Sequence, residues 1–184
     1  GGAVERLGTG VVPQLVLLLY TGIWLSSLTV AERRGGNTGA QEVVSVVALV
    51  RRPEIAAFLA SCLLMQASHG AYYAFYSIHL TNAGYPSVAV GGLWAWGVVV
   101  EVLVFLGMHR LLEGFGARRV LLASLALAVL RWLLIGAYVD LIVVQVFAQA
   151  LHAATFGAFH ASAIHLAHHY FTGRTQGRGQ ALYN

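Results

Sequence analysis

Four ionisable side chains, His69, Glu101, Arg131 and His152, stand near the middles of four long apolar runs. A charge at the centre of a bilayer costs about 2.5–3.5 kcal/mol on insertion scales, so each needs a reason to be there. A carboxylate and an arginine can neutralise one another. A carboxylate or an imidazole can take up and release a proton, and a guanidinium can hold an acid in two hydrogen bonds. The neighbours recur at helical spacing: Gln66, His69, Tyr73 and Tyr76; Trp94, Glu101 and Phe105; Ser124, Arg131 and Tyr138; Gln145, Gln149, His152, Phe156 and His160. Residues three or four apart share a helix face. Each run therefore carries one polar-aromatic stripe, and its other faces are Leu, Val and Ala. The stripes are expected to line a common water-accessible cavity.

Structural explanations compete with these. An intramembrane histidine often does no more than bond a neighbouring helix. Glu101 and Arg131 can form a purely structural ion pair. Tyr85 and Tyr170 sit where interfacial anchors belong, and Gly91, Gly92 and Gly97 are expected to let helices approach closely. His165-Leu-Ala-His168-His169 has the H-x-x-H-H spacing of a membrane di-iron box, the signature of a His-rich iron enzyme. Such a centre needs several boxes with converging imidazoles, and His69, His79 and His109 have no matching neighbours. A metalloenzyme is thus the weaker alternative, and no metal site or cofactor is expected.

The elements that must position these groups follow from composition. The chain has 184 residues, 58% hydrophobic and only 10% charged, against about 25% charged in a soluble domain. Lipid is the solvent such a chain suits. Five apolar runs are long enough to cross a bilayer: residues 11–30, 55–81, 88–108, 120–139 and 141–163, the last continuing toward 171. A sixth begins near Gln180. The chain starts at Gly1-Gly2 and has no signal-peptide pattern, so it reads as a fragment of a longer protein. The single Cys62 allows no internal disulfide.

Residues 31–52 are the longest polar stretch and the expected boundary between two bundles. Residues 82–87 should turn at Gly84 and Pro86, residues 109–119 should form a basic loop, and Asp140 should mark a tight turn. Every basic residue is arginine. Arg33, Arg34, Arg51 and Arg52, then Arg110, Arg118 and Arg119, then Arg174 and Arg178 all fall on one side if the five runs span, leaving Arg6 opposite. By the positive-inside rule that side, with the linker, is cytoplasmic. Arginines arranged this way set topology and form no phosphate-binding face for nucleic acid.

Two passages are more specific, LHAATFGAFHASAIH at residues 151–165 and GRGQALY at 177–183. They resemble the tenth helix and the start of the eleventh in the 3-phenylpropionate permease group of the major facilitator superfamily (MFS), and the resemblance extends over about residues 53–184. It implies an all-α polytopic membrane protein, an MFS-type helical bundle with helices 6–10 and the start of 11. Residues 1–30 would then end the N-terminal bundle, 31–52 would be the central linker, and 53–184 part of the C-terminal six-helix bundle. Residues 107–119 resemble the superfamily's cytoplasmic loop signature, with Leu111 where an acidic residue is usual and Glu113 two positions later. Glu101, Arg131 and His152 resemble the carboxylate, arginine and histidine of helices eight, nine and ten in lactose permease-type symporters. That group has a further carboxylate one turn past the histidine. Here Thr155 stands three after His152, leaving Glu101 or a histidine as the candidate proton carrier.

The resemblance implies proton-coupled symport of a small organic solute, such as the aromatic carboxylate 3-phenylpropionate, across the inner (plasma) membrane. Glu101, Arg131 and His152 form the expected charge and proton-coupling network. Gln66, His69, Tyr73, Tyr76, Trp94, Gln149, Phe156 and His160 are the expected cavity residues. The partners would be substrate, protons, lipid and the N-terminal half of the same protein. Sugar or nucleoside symport stays open, since the stripes also offer hydrogen bonds and stacking.

Overall fold

A computed structural model of the chain describes residues 46–183, with Leu17, Leu18, Tyr20, Thr21 and Leu25 as isolated helical positions before them. The expected span at 11–30 and residues 31–45 of the linker otherwise lie outside the described residues. The chain divides into two compact units, Gly1–Glu42 and Val43–Asn184, and the second holds residues 46–183.

That unit is helical among its described residues. A short helix α1 (Val46–Val50) precedes α2 (Pro53–Asn82), α3 (Ser87–Phe115), α4 (Ala117–Ala137) and α5 (Ile142–Ala153). A π-helical segment, Ala154–Ala158, joins α5 to α6 (Phe159–Tyr170), and α7 (Gln176–Tyr183) closes the described chain. The helices α2, α3 and α4, and the continuous run Ile142–Tyr170, are each long and apolar enough to cross a membrane. Their outward surfaces are Leu, Val and Phe, with Leu106 79% and Val143 77% exposed. Lipid tolerates such a surface, and a helix satisfies its own backbone there.

Local sequence explains where the helices stop. Pro53 occupies the first turn of α2, where its missing N–H costs nothing. Gly84 (φ 89°) and Pro86 turn the chain into α3. At the other end of α3 the expected basic loop 109–119 is replaced by one residue, Gly116 (φ 78°), whose N–H donates to the Leu112 carbonyl at 2.9 Å. Arg110 is helical, and Arg118 and Arg119 lie in the first turn of α4. The expected boundary followed the fall in hydrophobicity, but a helix continues through polar residues such as His109 and Arg110 until a residue breaks its backbone geometry. The short helix α1 likewise falls inside the expected polar linker.

The helices run up and down. Glu54, Arg118 and Tyr170 meet at one end. At the other, the Tyr85 hydroxyl donates to the Val139 carbonyl at 2.8 Å. Toward the arginine-bearing end, Phe58, Cys62 and Met65 pack with Leu121, Phe159, Ala163 and Tyr183. Toward the other, Tyr72, Tyr76 and Leu80 pack with Val90, Leu93 and Ile135. Polar staples tie α4 to α2: Trp132 Nε1 donates to Ser68 Oγ at 2.6 Å, and His79 Nε2 meets the Ile135 carbonyl at 3.2 Å. His79 thus plays the interhelical bonding role open to any intramembrane histidine.

Candidate functional site

Between the two packed ends lies a knot of buried polar groups. Its floor is on α2, where Phe58, Cys62, Met65, His69, Tyr72, Tyr76 and Leu80 form one buried seam at intervals of three and four. His69 and Tyr76 were expected on that face. Gln66 is exposed, and Tyr73 is 50% exposed. Tyr72 is the central residue that sequence reading passed over. The unbroken three-four spacing from Phe58 to Leu80 was the available signal.

Arg131 on α4 is 1% exposed, and its guanidinium carbon lies 4.0 Å from the centroid of the Tyr72 ring. A cation over a desolvated aromatic face is worth about 2 kcal/mol. The Tyr72 hydroxyl donates to Gln149 Oε1 at 2.8 Å, while Tyr76 donates to Gln145 Oε1 at 3.4 Å. Gln145 Nε2 in turn donates to the Tyr138 carbonyl at 3.1 Å. Both glutamines are buried on α5. Gly97 on α3 faces them closely: a Cβ there would stand in van der Waals contact, 3.4 Å from Gln149 Oε1 and 3.9 Å from His152 Cδ2, leaving no room for a larger side chain. Gly91 and Gly92, expected to act similarly, have nothing within 4 Å of an added Cβ. Their faces are exposed, so no described helix is pressed against them.

His152 on α5 is ringed by aromatics. Its centroid lies 5.1 Å from Tyr72 and 5.6 Å from His69, and it stacks on Phe156 at 5.4 Å. Phe156 stacks in turn on His160 at 5.6 Å. These three are four residues apart, and an unbroken α-helix would wind each by about 40° past the last. The π segment at Ala154–Ala158 has a wider turn, which takes up that winding and keeps the rings in one column. His160 Nδ1 lies 2.6 Å from the Tyr183 hydroxyl. Trp94 on α3 packs 4.7 Å from Tyr72, stacks on Tyr73 at 5.8 Å, and donates to Ser77 Oγ at 2.9 Å.

Glu101 on α3 is half-buried. It leans on the π segment, where a Cβ on Gly157 would meet its Cγ and the Phe105 ring at 3.4 Å. It forms no direct ion pair with Arg131; among the described residues the close contact of this kind is between the exposed side chains of His109 and Glu113, Nε2 to Oε1 at 3.2 Å. The reason is the helix order. α3 and α4 each pack closely on α5 and only sparingly on each other, which leaves the two side chains without a direct contact. Arg131 is left with the face of Tyr72.

Five buried atoms have no hydrogen-bond partner among the described residues: His69 Nε2, Arg131 Nε and Nη2, Gln149 Nε2 and His152 Nδ1. His69 Nδ1 lies 2.9 Å from the Met65 carbonyl, which can only accept, so Nδ1 carries the hydrogen. An orphaned buried polar atom costs about 1–3 kcal/mol, more for a charged group. Five together are a large burden on the 5–15 kcal/mol that holds a domain folded. Three are donors on Arg131 and Gln149, flanked by aromatic rings. Such a set can bind an acid beside a ring, or water in its place. Among the described residues no three His, Cys, Asp or Glu side chains converge as a metal set.

A family model described as "MFS_1 like family" matches residues 1–184. Among curated proteins, the chain is 43% identical over 110 residues to a "Probable 3-phenylpropionic acid transporter" of Escherichia coli (strain K12). That match covers 58% of this chain and 28% of the relative, so the chain spans well under a third of the relative's length. No solved structure gives a significant match.

Proposed function

The chain belongs to the MFS_1-like family of multi-pass membrane transporters, and from that premise we propose that it is part of a proton-coupled symporter for a small aromatic carboxylate such as 3-phenylpropionate. The relative's printed name supports the substrate class. The observation that carries the reading is Arg131: a buried guanidinium with no acid partner among the described residues, lying on the ring of Tyr72, which packs in turn on Trp94 and His152. A carboxylate supplies the counter-charge that Arg131 lacks, in the paired hydrogen bonds a guanidinium favours. Gln149 Nε2 adds a third donor. Trp94, Phe156, Tyr73 and Tyr76 offer faces and edges to the ring.

In this reading the arginine-bearing end faces the cytoplasm across the inner membrane, and the proton is carried by Glu101 or His152. Alternating access moves one half of an MFS protein against the other, so transport belongs to the full-length protein. Substrate binding tests the reading. Full-length protein should bind 3-phenylpropionate at least tenfold more tightly than the uncharged 3-phenylpropanol. Equal affinity for the two, or preference for a sugar or nucleoside, would set this substrate class aside.

A further inference from the structure

At the arginine-bearing end, apart from the central knot, a hollow of about 370 Å³ opens between α4 and α6, lined by Phe115, Arg118, Arg119, His165, Leu166 and His169. The two histidines are four residues apart and so share one face of α6. They belong to the H-x-x-H-H cluster, which the proposed transport site does not include. An imidazole donates a hydrogen bond in either protonation state. The arginines occupy the first turn of α4, which starts at Gly116 without a side-chain cap, so its first backbone N–H groups also lack intrahelical acceptors. Among the described residues no carboxylate lines the hollow. Glu113 is engaged by His109 at 3.2 Å. Glu54 shares an adjoining recess with Arg118 but forms no ion pair with it.

A second cavity says what kind of molecule belongs there. A crevice of about 450 Å³ shares Phe115 and Arg119 with the hollow and runs on between α3, α4 and the π segment, past Val104, Leu111, Val120 and Leu127. Its walls are almost wholly apolar. The 29 residues of α3 span about 43 Å, against roughly 30 Å of hydrocarbon. Its last turn therefore reaches the depth of lipid headgroups, and the crevice reaches acyl-chain depth. Phe115, 61% exposed, stands at the junction.

The geometry points to a binding site for an anionic phospholipid, with its phosphate held by Arg118, Arg119, His165 and His169 and one acyl chain lying in the crevice beyond Phe115. The cationic groups outnumber Glu54, so a headgroup without a compensating ammonium fits best. Phosphatidylglycerol has that chemistry, and phosphatidylcholine carries the same phosphate with a cation attached. A soluble phosphate could use the donors but would leave the crevice unused.

The test titrates the full-length protein in detergent with phosphatidylglycerol, phosphatidylcholine or inorganic phosphate. Native mass spectrometry counts bound lipid, and the thermal midpoint is followed alongside. Phosphatidylglycerol should be retained and should raise the midpoint, with phosphatidylcholine bound about tenfold or more weakly. Arg118→Gln with Arg119→Gln should weaken retention about 30-fold, the effect of two interfacial arginines. If that pair fails to fold, His165→Asn with His169→Asn should show a smaller loss of the same kind. Ala123→Phe, which fills the crevice, should weaken the lipid and leave any response to inorganic phosphate unchanged. Equal retention of the two lipids, wild-type retention in the cation variants, or protection by inorganic phosphate equal to that by phosphatidylglycerol would overturn the proposal.

Discussion

Arg131→Met in the full-length protein separates a binding role from a structural one. In a structural ion pair, removing one partner of a buried pair costs about 3–5 kcal/mol. Arg131 has instead the Tyr72 ring at 4.0 Å and two orphaned nitrogens, Nε and Nη2. The substitution loses a cation–π contact of about 2 kcal/mol. It relieves two unsatisfied donors at about 1–3 kcal/mol each, while methionine fills most of the volume. The two effects offset, so stability should be unchanged or raised by up to about 4 kcal/mol. Binding should behave in the opposite way. Truncating one partner of a desolvated charge pair costs about 2–5 kcal/mol, which is about 30-fold to several-thousand-fold in affinity at 1.4 kcal/mol per decade. Thermal unfolding in detergent reads the first quantity. Quenching of tryptophan fluorescence, to which Trp94 beside Tyr72 contributes, reads the second. A fall in stability of 3 kcal/mol or more would place an acid against Arg131 and refute the reasoning. So would undiminished affinity for 3-phenylpropionate.

Other expectations follow from the same geometry. Tyr72→Phe keeps the ring under Arg131 but removes the donor to Gln149; it should cost about 1 kcal/mol of stability, against at least 3 for Tyr72→Ala, measured by denaturation of the two variants side by side. Gly97→Val drives carbon into Gln149 and His152, and should cost about 1–3 kcal/mol and weaken substrate binding, whereas Gly92→Val, facing open space, should do neither. Glu101→Gln should abolish accumulation driven by a pH gradient and leave binding or exchange measurable. If uptake survives in that variant and His152→Gln loses it, the carrier is His152. Cysteines at 35–48, 112–117 and 172–178 should label from the cytoplasm, and one at 83 or 84 from outside; labelling of 84 and 114 from the same side would remove the topology.

The four described spans were legible because lipid imposes a simple rule: about 20 apolar residues for each crossing. Helix ends were less legible. Gly116, not the drop in hydrophobicity near Met108, ends α3, because backbone geometry stops a helix and side-chain polarity does not. Of the central knot, His69, Tyr76, Arg131, Gln149 and His152 were found from their cost at membrane depth and their spacing. Tyr72 was missed because a tyrosine beside Tyr73 gives no signal unless the seam from Phe58 to Leu80 is followed. A charge network of Glu101, Arg131 and His152 was legible as a shared depth, but whether Glu101 touches Arg131 directly was not, because depth along a span says nothing about which faces two helices turn to each other. The π segment left no periodic trace, since one widened turn shifts the phase by less than the breadth of a stripe.

Uptake of labelled 3-phenylpropionate by the full-length protein in proteoliposomes, with and without an imposed pH gradient, tests the central claim most directly. The account predicts accumulation above the equilibrium level when the interior is alkaline, and its collapse on adding a protonophore. Uptake that never exceeds equilibrium, or that ignores the gradient, would contradict it.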